Sequence, residues 1–245
     1  MIEVEALTKR YGEFTAVKEL SFTVEPGQVL GLVGPNGAGK TTTLRCLAGI
    51  IPPSAGRVRI AGAELGVDPL PAKRALAYFP DEPRLFEYLT VRQHLRFTAR
   101  LYQVPDPEPE IGRLLEELEI ADKADALPGE LSRGMKQKLA IACGLLHAPR
   151  VAFFDEPLTG LDPFGIRKMK DSILRRASEG AAIILSSHLL HLVEEICSHV
   201  LILKNGKKIV HGTMAEIRDQ FAHQSGDASL EEVFFRATTE PPRVS

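Results

Sequence analysis

One glycine-rich stretch, lying between an apolar run and a helix-forming run, limits the folds open to this chain. Residues 34–42 read GPNGAGKTT and directly follow the apolar run VLGLV. The stretch matches G-x-x-x-x-G-K-[ST], in which backbone N–H groups point at a phosphate and the lysine, here Lys40, reaches its oxygens. VLGLV is typical of a parallel-sheet strand buried on both faces, and TTTLRCLAGI at residues 41–50 predicts the helix that must follow. This order favours a nucleotide-binding α/β fold over the alternative, a glycine-rich turn that only caps a helix.

The hydrophobic pattern elsewhere predicts the rest of an α/β chain. Alternation at Ile2, Val4 and Ala6 predicts a strand near the N-terminus. Apolar residues at helical spacing within about residues 85–147 predict a helical insert, with a helix cap at Thr90. The dipeptide Asn-Gly at 205–206 predicts a two-residue hairpin turn. Short apolar runs predict further core strands at residues 151–154 (VAFF), 182–187 (AIILSS) and 200–204 (VLILK).

Composition excludes several classes of protein. With 245 residues, 44% hydrophobic and 25% charged, the chain can bury a sizeable core. Its apolar runs are far shorter than the roughly 18 to 20 residues that cross a bilayer, and its start lacks the pattern of a secretory signal. A cytoplasmic location is therefore expected. A formal net charge of -2 gives no general attraction to nucleic acid, and no nucleic-acid partner is expected. The odd number and wide spacing of the cysteines favour reduced packing residues over disulfides or a zinc site: Cys46, Cys143 and Cys197.

A pair of carboxylates follows one of the predicted core strands. VAFF is followed by Asp155 and Glu156, at the carboxyl end of a strand, where ligands gather in open α/β sheets. Asp155 suits Mg²⁺ bound through water, and Thr41 would supply a hydroxyl to the same ion. Glu156 is then placed to polarise an attacking water as general base. The alternative is a solvated acidic turn without catalytic work.

The ordered motifs resemble those of the ATP-binding subunit of an ABC transporter. The resemblance rests on GPNGAGKTT, VAFFDEP, LSRGM at residues 131–135, LTGLDP at 158–163 and SSH at 186–188. It implies an α/β P-loop NTPase of ABC type, with a mostly parallel core sheet, an N-terminal antiparallel β subdomain and an inserted α-helical subdomain. The ATP-binding domain would span residues 2–221, and a short helix with a disordered end, TTEPPRVS, would occupy 222–245.

The resemblance also implies a function and partners. It implies ATP binding and hydrolysis with Mg²⁺, driving a separately encoded transmembrane permease from the inner face of the membrane. SLEEVFFRATT at residues 229–239 is similar to the ending of exporters. A soluble ABC ATPase is the second hypothesis. The sequence shows neither the long coiled-coil insert of repair relatives nor the second cassette of translation relatives, but a role in cluster assembly stays open. A non-catalytic nucleotide sensor is a third.

The family's motifs assign roles to individual residues. Glu156 and His188 would be catalytic, with His188 contacting the γ-phosphate; its alternative role is structural. Tyr11 would stack on adenine, or else be an ordinary surface aromatic. The residues expected to ligate Mg²⁺ are Thr41, Asp81 and Asp155. The residues expected to contact the nucleotide are Tyr11, Gly34, Pro35, Asn36, Gly37, Ala38, Gly39, Lys40, Thr41, Thr42, Ser132, Gly134 and Asp162.

Two of these motifs depart from the family's usual sequence. LSRGM has Arg133 and Met135 where the family has glycine and glutamine, although Ser132 and Gly134 are kept. In the family this segment binds the ATP of a second subunit, so a head-to-tail homodimer, or a pair with another ATPase subunit, is implied. Asp81 replaces a glutamine that ligates Mg²⁺, and it would either bind the ion through water or stand back.

The segment RLFEYLTV, residues 84–91, follows Asp81 and carries two aromatic residues. Aromatic residues are enriched at interface cores, so Phe86 and Tyr88 predict the surface where the permease docks. The alternative is that both rings fill the core of the helical insert.

Overall fold

The computed structural model describes residues 1–159, 162–222 and 229–239. The predicted α/β class is confirmed, because a six-stranded core sheet, a four-stranded antiparallel sheet and a group of inserted helices make up the described chain. The strands are β1 (Ile2–Tyr11), β2 (Phe14–Val24), β3 (Val29–Val33), β4 (Ala55–Ile60), β5 (Ala63–Glu64), β6 (Leu76–Phe79), β7 (Val151–Asp155), β8 (Ala182–Ser186), β9 (His199–Lys204) and β10 (Lys207–Thr213). The α-helices are α1 (Lys40–Leu47), α2 (Pro69–Ala75), α3 (Val91–Tyr102), α4 (Glu108–Glu117), α5 (Arg133–Leu145), α6 (Pro163–Ser178), α7 (Leu190–Ile196), α8 (Met214–Ala222) and α9 (Leu230–Thr239).

The core sheet has the strand order β10-β9-β3-β8-β7-β6. All neighbours pair in parallel except β10 and β9, which are antiparallel and joined by the predicted turn, with Asn205 at φ 52° and Gly206 at φ 73°. Positive φ at both turn positions matches the right-handed twist of the flanking strands. Every residue of β3, β7 and β8 is buried, as their apolar sequences predict.

The two faces of the core sheet are covered by different layers. Alternate residues of β7 point to opposite faces, so Phe154 packs with the inserted helices and Phe153 packs with α1 and the antiparallel sheet. Because β3, β7 and β8 are parallel neighbours, their carboxyl ends meet at one edge of the sheet. The glycine-rich loop, the acidic pair and the SSH segment each follow one of these strands, and the fold therefore places all three at that edge.

The antiparallel sheet has the order β2-β1-β4-β5 and contains one departure from the predicted alternation. Ile2 and Val4 are buried as expected, but Ala6 is exposed and has φ 48°. The register of β1 against β2 shifts between Val4 and Leu7, and Leu7 takes the buried place. A bulge of this kind inserts one unpaired residue, so every later side chain changes face, which the simple period of two does not anticipate.

The helical insert is built on the predicted apolar stripes. Val91, Leu95 and Ala99 of α3 are buried against Ile111 and Leu114 of α4 in one continuous apolar cluster. The predicted cap at Thr90 is present, since its hydroxyl accepts the N–H of Gln93 and the Gln93 side chain accepts the N–H of Thr90. Such a reciprocal cap fixes where α3 begins.

At the C-terminal end, α9 packs on the main body. Leu230 and Val233 are buried in the same apolar cluster as Val200 of β9. Thr238 and Thr239, which were expected in the disordered end, are the last two residues of α9, and residues 240–245 lie outside the described residues. Within the described ranges, no helix combines the length and the apolar character needed to cross a bilayer.

Candidate functional site

The glycine-rich loop joins β3 to α1 and is closely packed at both ends. A Cβ on Gly34 would lie 2.5 Å from the carbonyl oxygen of Leu203, and one on Gly39 would lie 2.5 Å from that of Ala16. Gly39 also has φ 104°, which favours glycine. Only glycine fits at these two positions. Between them, Pro35, Asn36 and Gly37 are exposed, so the middle of the loop is open to a ligand.

Lys40 begins α1 and folds back over this loop. Its side chain is only 8% exposed, and Nζ donates to the carbonyl oxygens of Gly34 at 2.7 Å and Pro35 at 3.4 Å. Burial lowers the pKa of Lys40, and the charges of Glu156 and Asp155 partly offset this shift. An ammonium group held inside a loop of backbone N–H groups is suited to an anion. The residues present therefore fit a phosphate chain.

Asp155, at the end of β7, is 2% exposed and accepts from three hydroxyl groups. Thr41 donates to Oδ1 at 3.2 Å, Ser186 donates to Oδ1 at 2.8 Å and Tyr78 donates to Oδ2 at 3.2 Å. The carboxylate of Asp155 and the hydroxyl of Thr41 are hard oxygen ligands of the kind that Mg²⁺ prefers. The pair fits that ion, and it lies beside the loop.

Sequence reasoning missed the roles of Ser186 and Tyr78. Ser186 lies in the SSH segment and pairs directly with Asp155 in the register of β8 against β7. Tyr78 lies on β6 and pairs with Phe153, so its hydroxyl reaches Asp155 from the next strand. Burial and the charge of Asp155 raise the pKa of Tyr78 to about 12, which keeps the phenol protonated as a donor. The sequence feature that could have identified these two donors is a polar residue at the end of each strand next to β7.

Glu156 and His188 contact each other at the same edge. Glu156 Oε2 accepts the backbone N–H of His188 at 3.2 Å and lies 2.8 Å from His188 Nδ1. Glu156 has φ 53°, an uncommon conformation for a residue with a side chain, and its N–H donates to the backbone oxygen of Ser186 at 3.1 Å. Strained backbone of this kind clusters at functional sites. The structure thus brings the two expected catalytic residues together.

Other expected nucleotide contacts lie on separate elements. Ser132 caps α5 by accepting the N–H of Met135 at 3.3 Å, and Gly134 lies in the first turn of that helix. Asp162 caps α6 by accepting the N–H of Gly165 at 2.6 Å. Among the described residues, no hydrogen bond joins Ser132, Gly134 or Asp162 to the loop or to the acidic pair.

Tyr11 lies exposed at the end of β1. The Nζ atom of Lys9 lies 5.1 Å from the ring centroid and also donates to the carbonyl oxygen of Pro52 at 2.8 Å. This cation covers one face of the ring. A base that stacks on Tyr11 would use the other face.

The comparisons with known proteins agree with this geometry. Residues 17–159, more than half of the chain, match the family described as ABC transporter. The chain belongs to the ABC transporter family. It is 35% identical over 242 residues to the ABC-type transporter ATP-binding protein EcsA of Bacillus subtilis, covering 98% of this chain and 97% of the relative. It is 38% identical over 213 residues to the Nod factor export ATP-binding protein I of Paraburkholderia xenovorans, covering 86% of this chain and 70% of the relative.

A solved structure described as the ATP binding subunit of an ABC transporter shares the fold. The two superpose with a TM-score of 0.91 at 35% sequence identity, covering 97% of this chain and 99% of the other. The predicted P-loop NTPase fold of ABC type is therefore confirmed. The chain is an ABC transporter ATP-binding subunit, and proteins of this family generally hydrolyse ATP and work with transmembrane partners.

Asp81, the third expected magnesium ligand, faces the start of α5. Its Oδ1 lies 3.5 Å from Arg133 Nη2, and no hydrogen bond among the described residues joins it to Thr41 or Asp155. The carboxylate at the ABC family's glutamine position is thus engaged with the start of α5.

The aromatic residues after Asp81 are on the surface. Phe86 is 57% exposed and Tyr88 is 89% exposed, so the alternative that both fill the core of the insert is wrong. Phe86 contacts Phe97 of α3, with ring centroids 5.3 Å apart in an edge-on arrangement. Exposed aromatic residues grouped in this way are suited to an interface.

A conservative change at Tyr78 tests how Asp155 is held. Tyr78→Phe removes only the hydroxyl that donates to Asp155, so a buried carboxylate loses one of its partners. We expect the free energy of unfolding, measured by urea denaturation at pH 7, to fall by about 1–3 kcal/mol. The matched control is Tyr102→Phe, which also removes the hydroxyl of a partly buried tyrosine. Burial raises the pKa of Tyr102, and its ring stacks on His147. Equal stability of the two variants would show that the Tyr78 hydroxyl is dispensable.

Proposed function

We propose that this subunit hydrolyses ATP with Mg²⁺ and uses the reaction to drive a separate transmembrane permease. The proposal rests on the hydrogen bond from Thr41 to Asp155, which ties the phosphate-binding loop to the acidic pair at 3.2 Å. Glu156 follows Asp155 directly, so this bond fixes the distance between the loop and the general base.

The loop would hold the phosphate chain of ATP. Backbone N–H groups of the loop would donate to the β-phosphate, and Lys40 would move its two hydrogen bonds from loop carbonyls to phosphate oxygens. Tyr11 would stack on adenine with its free face. Pro35, Asn36 and Gly37, at the exposed middle of the loop, would lie nearest to the phosphates.

The hydroxyl of Thr41 and the carboxylate of Asp155 would hold Mg²⁺, with Asp81 as a third candidate ligand. When bound, the ion would neutralise negative charge that develops on the phosphates during phosphoryl transfer. Ser186 and Tyr78 already donate to Asp155, so its oxygens point in fixed directions. Asp155 would therefore bind the ion without rearrangement.

Glu156 would accept a proton from the attacking water. Its carboxylate is held by two N–H groups of His188, the backbone amide and, with Nδ1 protonated, the ring. For the exposed His188 ring to contact the γ-phosphate, Nε2 would also carry a proton, so that the imidazolium donates to Glu156 from Nδ1 and to a phosphate oxygen from Nε2. A positioned general base contributes about 10² to 10⁴ in rate.

Two subunits would close head to tail around two ATP molecules. The start of α5 carries about half a positive charge, as helix N-termini do, and Ser132 with Gly134 would present it to the ATP of the partner subunit. Asp162 would pass between the subunits. The partner would be a second copy or a related ATPase subunit.

The permease would dock on Phe86 and Tyr88, which would place the subunit on the inner face of the membrane. Export is the proposed direction, because relatives such as the Nod factor export protein carry that description. A soluble ABC ATPase, for example in cluster assembly, is the competing function, and it gives no reason for two exposed aromatic residues beside Asp81.

Replacing the base should trap the closed dimer. Glu156→Gln removes the proton acceptor but keeps a hydrogen-bonding group, so hydrolysis should fall by about 10²–10⁴ while ATP still binds. Gel filtration with MgATP should show a dimer, and Lys40→Ala should stay monomeric as the control. A Glu156→Gln protein that remains monomeric at every ATP concentration would count against both the base and the dimer.

Mixing two inactive variants tests which subunit each segment serves. Lys40→Ala damages its own loop, and Ser132→Arg blocks the start of α5, so each homodimer has two broken sites. In a head-to-tail heterodimer, one site combines the intact loop of one variant with the intact α5 start of the other. Random pairing should restore about a quarter of the sites.

The measurements are ATP-dependent association of the tagged pair and hydrolysis. Each variant alone, at the same total concentration, is the control. If both variants fold and exchange subunits but neither signal returns, Ser132 serves its own subunit.

The docking surface is tested by removing both aromatic residues. Phe86→Ser with Tyr88→Ser should abolish co-purification of a co-expressed permease partner, because an interface centred on two rings loses most of its binding energy. The control is Val67→Ser with Leu70→Ser, which alters residues of similar exposure, 78% and 57%. If the double variant keeps its unfolding midpoint and still co-purifies with the permease, the surface lies elsewhere.

A further inference from the structure

Two positions at which this chain departs from the family's motifs contact each other. Arg133 stands where the signature segment usually has glycine, and Asp81 stands where the other loop usually has glutamine. Arg133 Nη2 lies 3.5 Å from Asp81 Oδ1. Neither glycine nor glutamine carries the charge needed for this ion pair, so the two departures belong together.

The helix dipole explains why Arg133 needs a partner. Arg133 is the first residue of α5, and no acidic residue lies in the first turn of that helix. A cation is unfavourable at a helix N-terminus, where the backbone already carries partial positive charge. Asp81 supplies the missing negative charge from another segment.

A second contact joins α5 to the same loop. Gln137, one turn after Arg133, is 3% exposed, and its Nε2 donates to the carbonyl oxygen of Pro80 at 3.3 Å. Consecutive residues, Pro80 and Asp81, are therefore held by consecutive turns of one helix face. The loop after β6 is fixed to the start of α5 at two points.

The other end of this loop is fixed to α3. The ring of His94 is 4% exposed, and its Nε2 accepts the backbone N–H of Phe86 at 2.9 Å. Its Nδ1 lies 2.8 Å from the carbonyl oxygen of Thr90 and donates to it. Residues 80–86 thus form a short strap, held by α5 at one end and by α3 beneath the exposed rings of Phe86 and Tyr88 at the other.

We propose that Asp81 and Arg133 are positioning residues, which transmit movement between the start of α5 and the aromatic surface of Phe86 and Tyr88. This inference rests on the proposed function, in which α5 meets the ATP of a partner subunit and the aromatic surface meets the permease. In this structure, Asp81 is bonded to Arg133. The link lies within one subunit and is specific to a chain that carries both charges.

Hydrogen exchange in the isolated subunit tests the link without nucleotide. Arg133→Gln should speed exchange of backbone amides in residues 82–89 by about two- to fivefold, the range expected from a partly exposed ion pair. Exchanging the charges, Asp81→Arg with Arg133→Asp, should restore slow exchange. Arg57→Gln is the matched control, since Arg57 on β4 forms an exposed ion pair at 2.7 Å with Glu5 on β1. Unchanged exchange in Arg133→Gln would overturn the pair.

Transmission is tested with fluorotyrosine, because the chain has 4 tyrosines and Tyr88→Phe identifies the signal of Tyr88. In Glu156→Gln, MgATP should shift the ¹⁹F resonance of Tyr88. Adding Arg133→Gln should reduce this shift at least about twofold, and the charge exchange should restore it. A shift of equal size with and without Arg133, or no shift in a protein that dimerises, would overturn the proposal. If Glu156→Gln fails to dimerise, that separate result rejects the proposed function. The hydrogen-exchange experiment still tests the ion pair between Asp81 and Arg133.

Discussion

The arrangement of the site depends on one buried carboxylate. Asp155 is nearly inaccessible, and a charge without partners at that depth would be very unfavourable. Three hydroxyl groups make it tolerable, and they come from three separate segments, the start of α1, the end of β8 and the end of β6. Through these bonds one acid holds together the loop that would bind phosphate and the strands that carry the base.

The contacts of Asp155 also depend on the direction in which the core strands run. The neighbours β6, β7 and β8 end at one edge only because they run parallel, and that direction requires long connections between them. The helical insert is one of these connections, between β6 and β7. The segments expected to act on a partner subunit and on a permease are therefore built into the chain that separates two strands of the site.

The sequence predicted the parts of this structure that depend on local pattern. Buried strands such as β3, the cap at Thr90 and the Asn-Gly turn follow from residue type and short-range geometry. The bulge at Ala6 was missed, because a register shift is a property of two strands and leaves no trace in the alternation of one. The donors to Asp155 were missed for a related reason, since Tyr78 lies 77 residues away in sequence. The contact between Asp81 and Arg133 was missed because it joins residues 52 positions apart, although each departure is visible in the sequence.

The position of Lys40 has a consequence for how a nucleotide would enter. Its ammonium group is bonded to two carbonyl oxygens of the loop, and these bonds hold the side chain in place. Entry of an anion would then be an exchange of acceptors with little loss of side-chain freedom, which costs up to about 2 kcal/mol when a mobile lysine is fixed. The carbonyls that release the ammonium would regain it when the ligand departs. Such a loop competes with its own ligand, and this competition favours turnover over permanent retention.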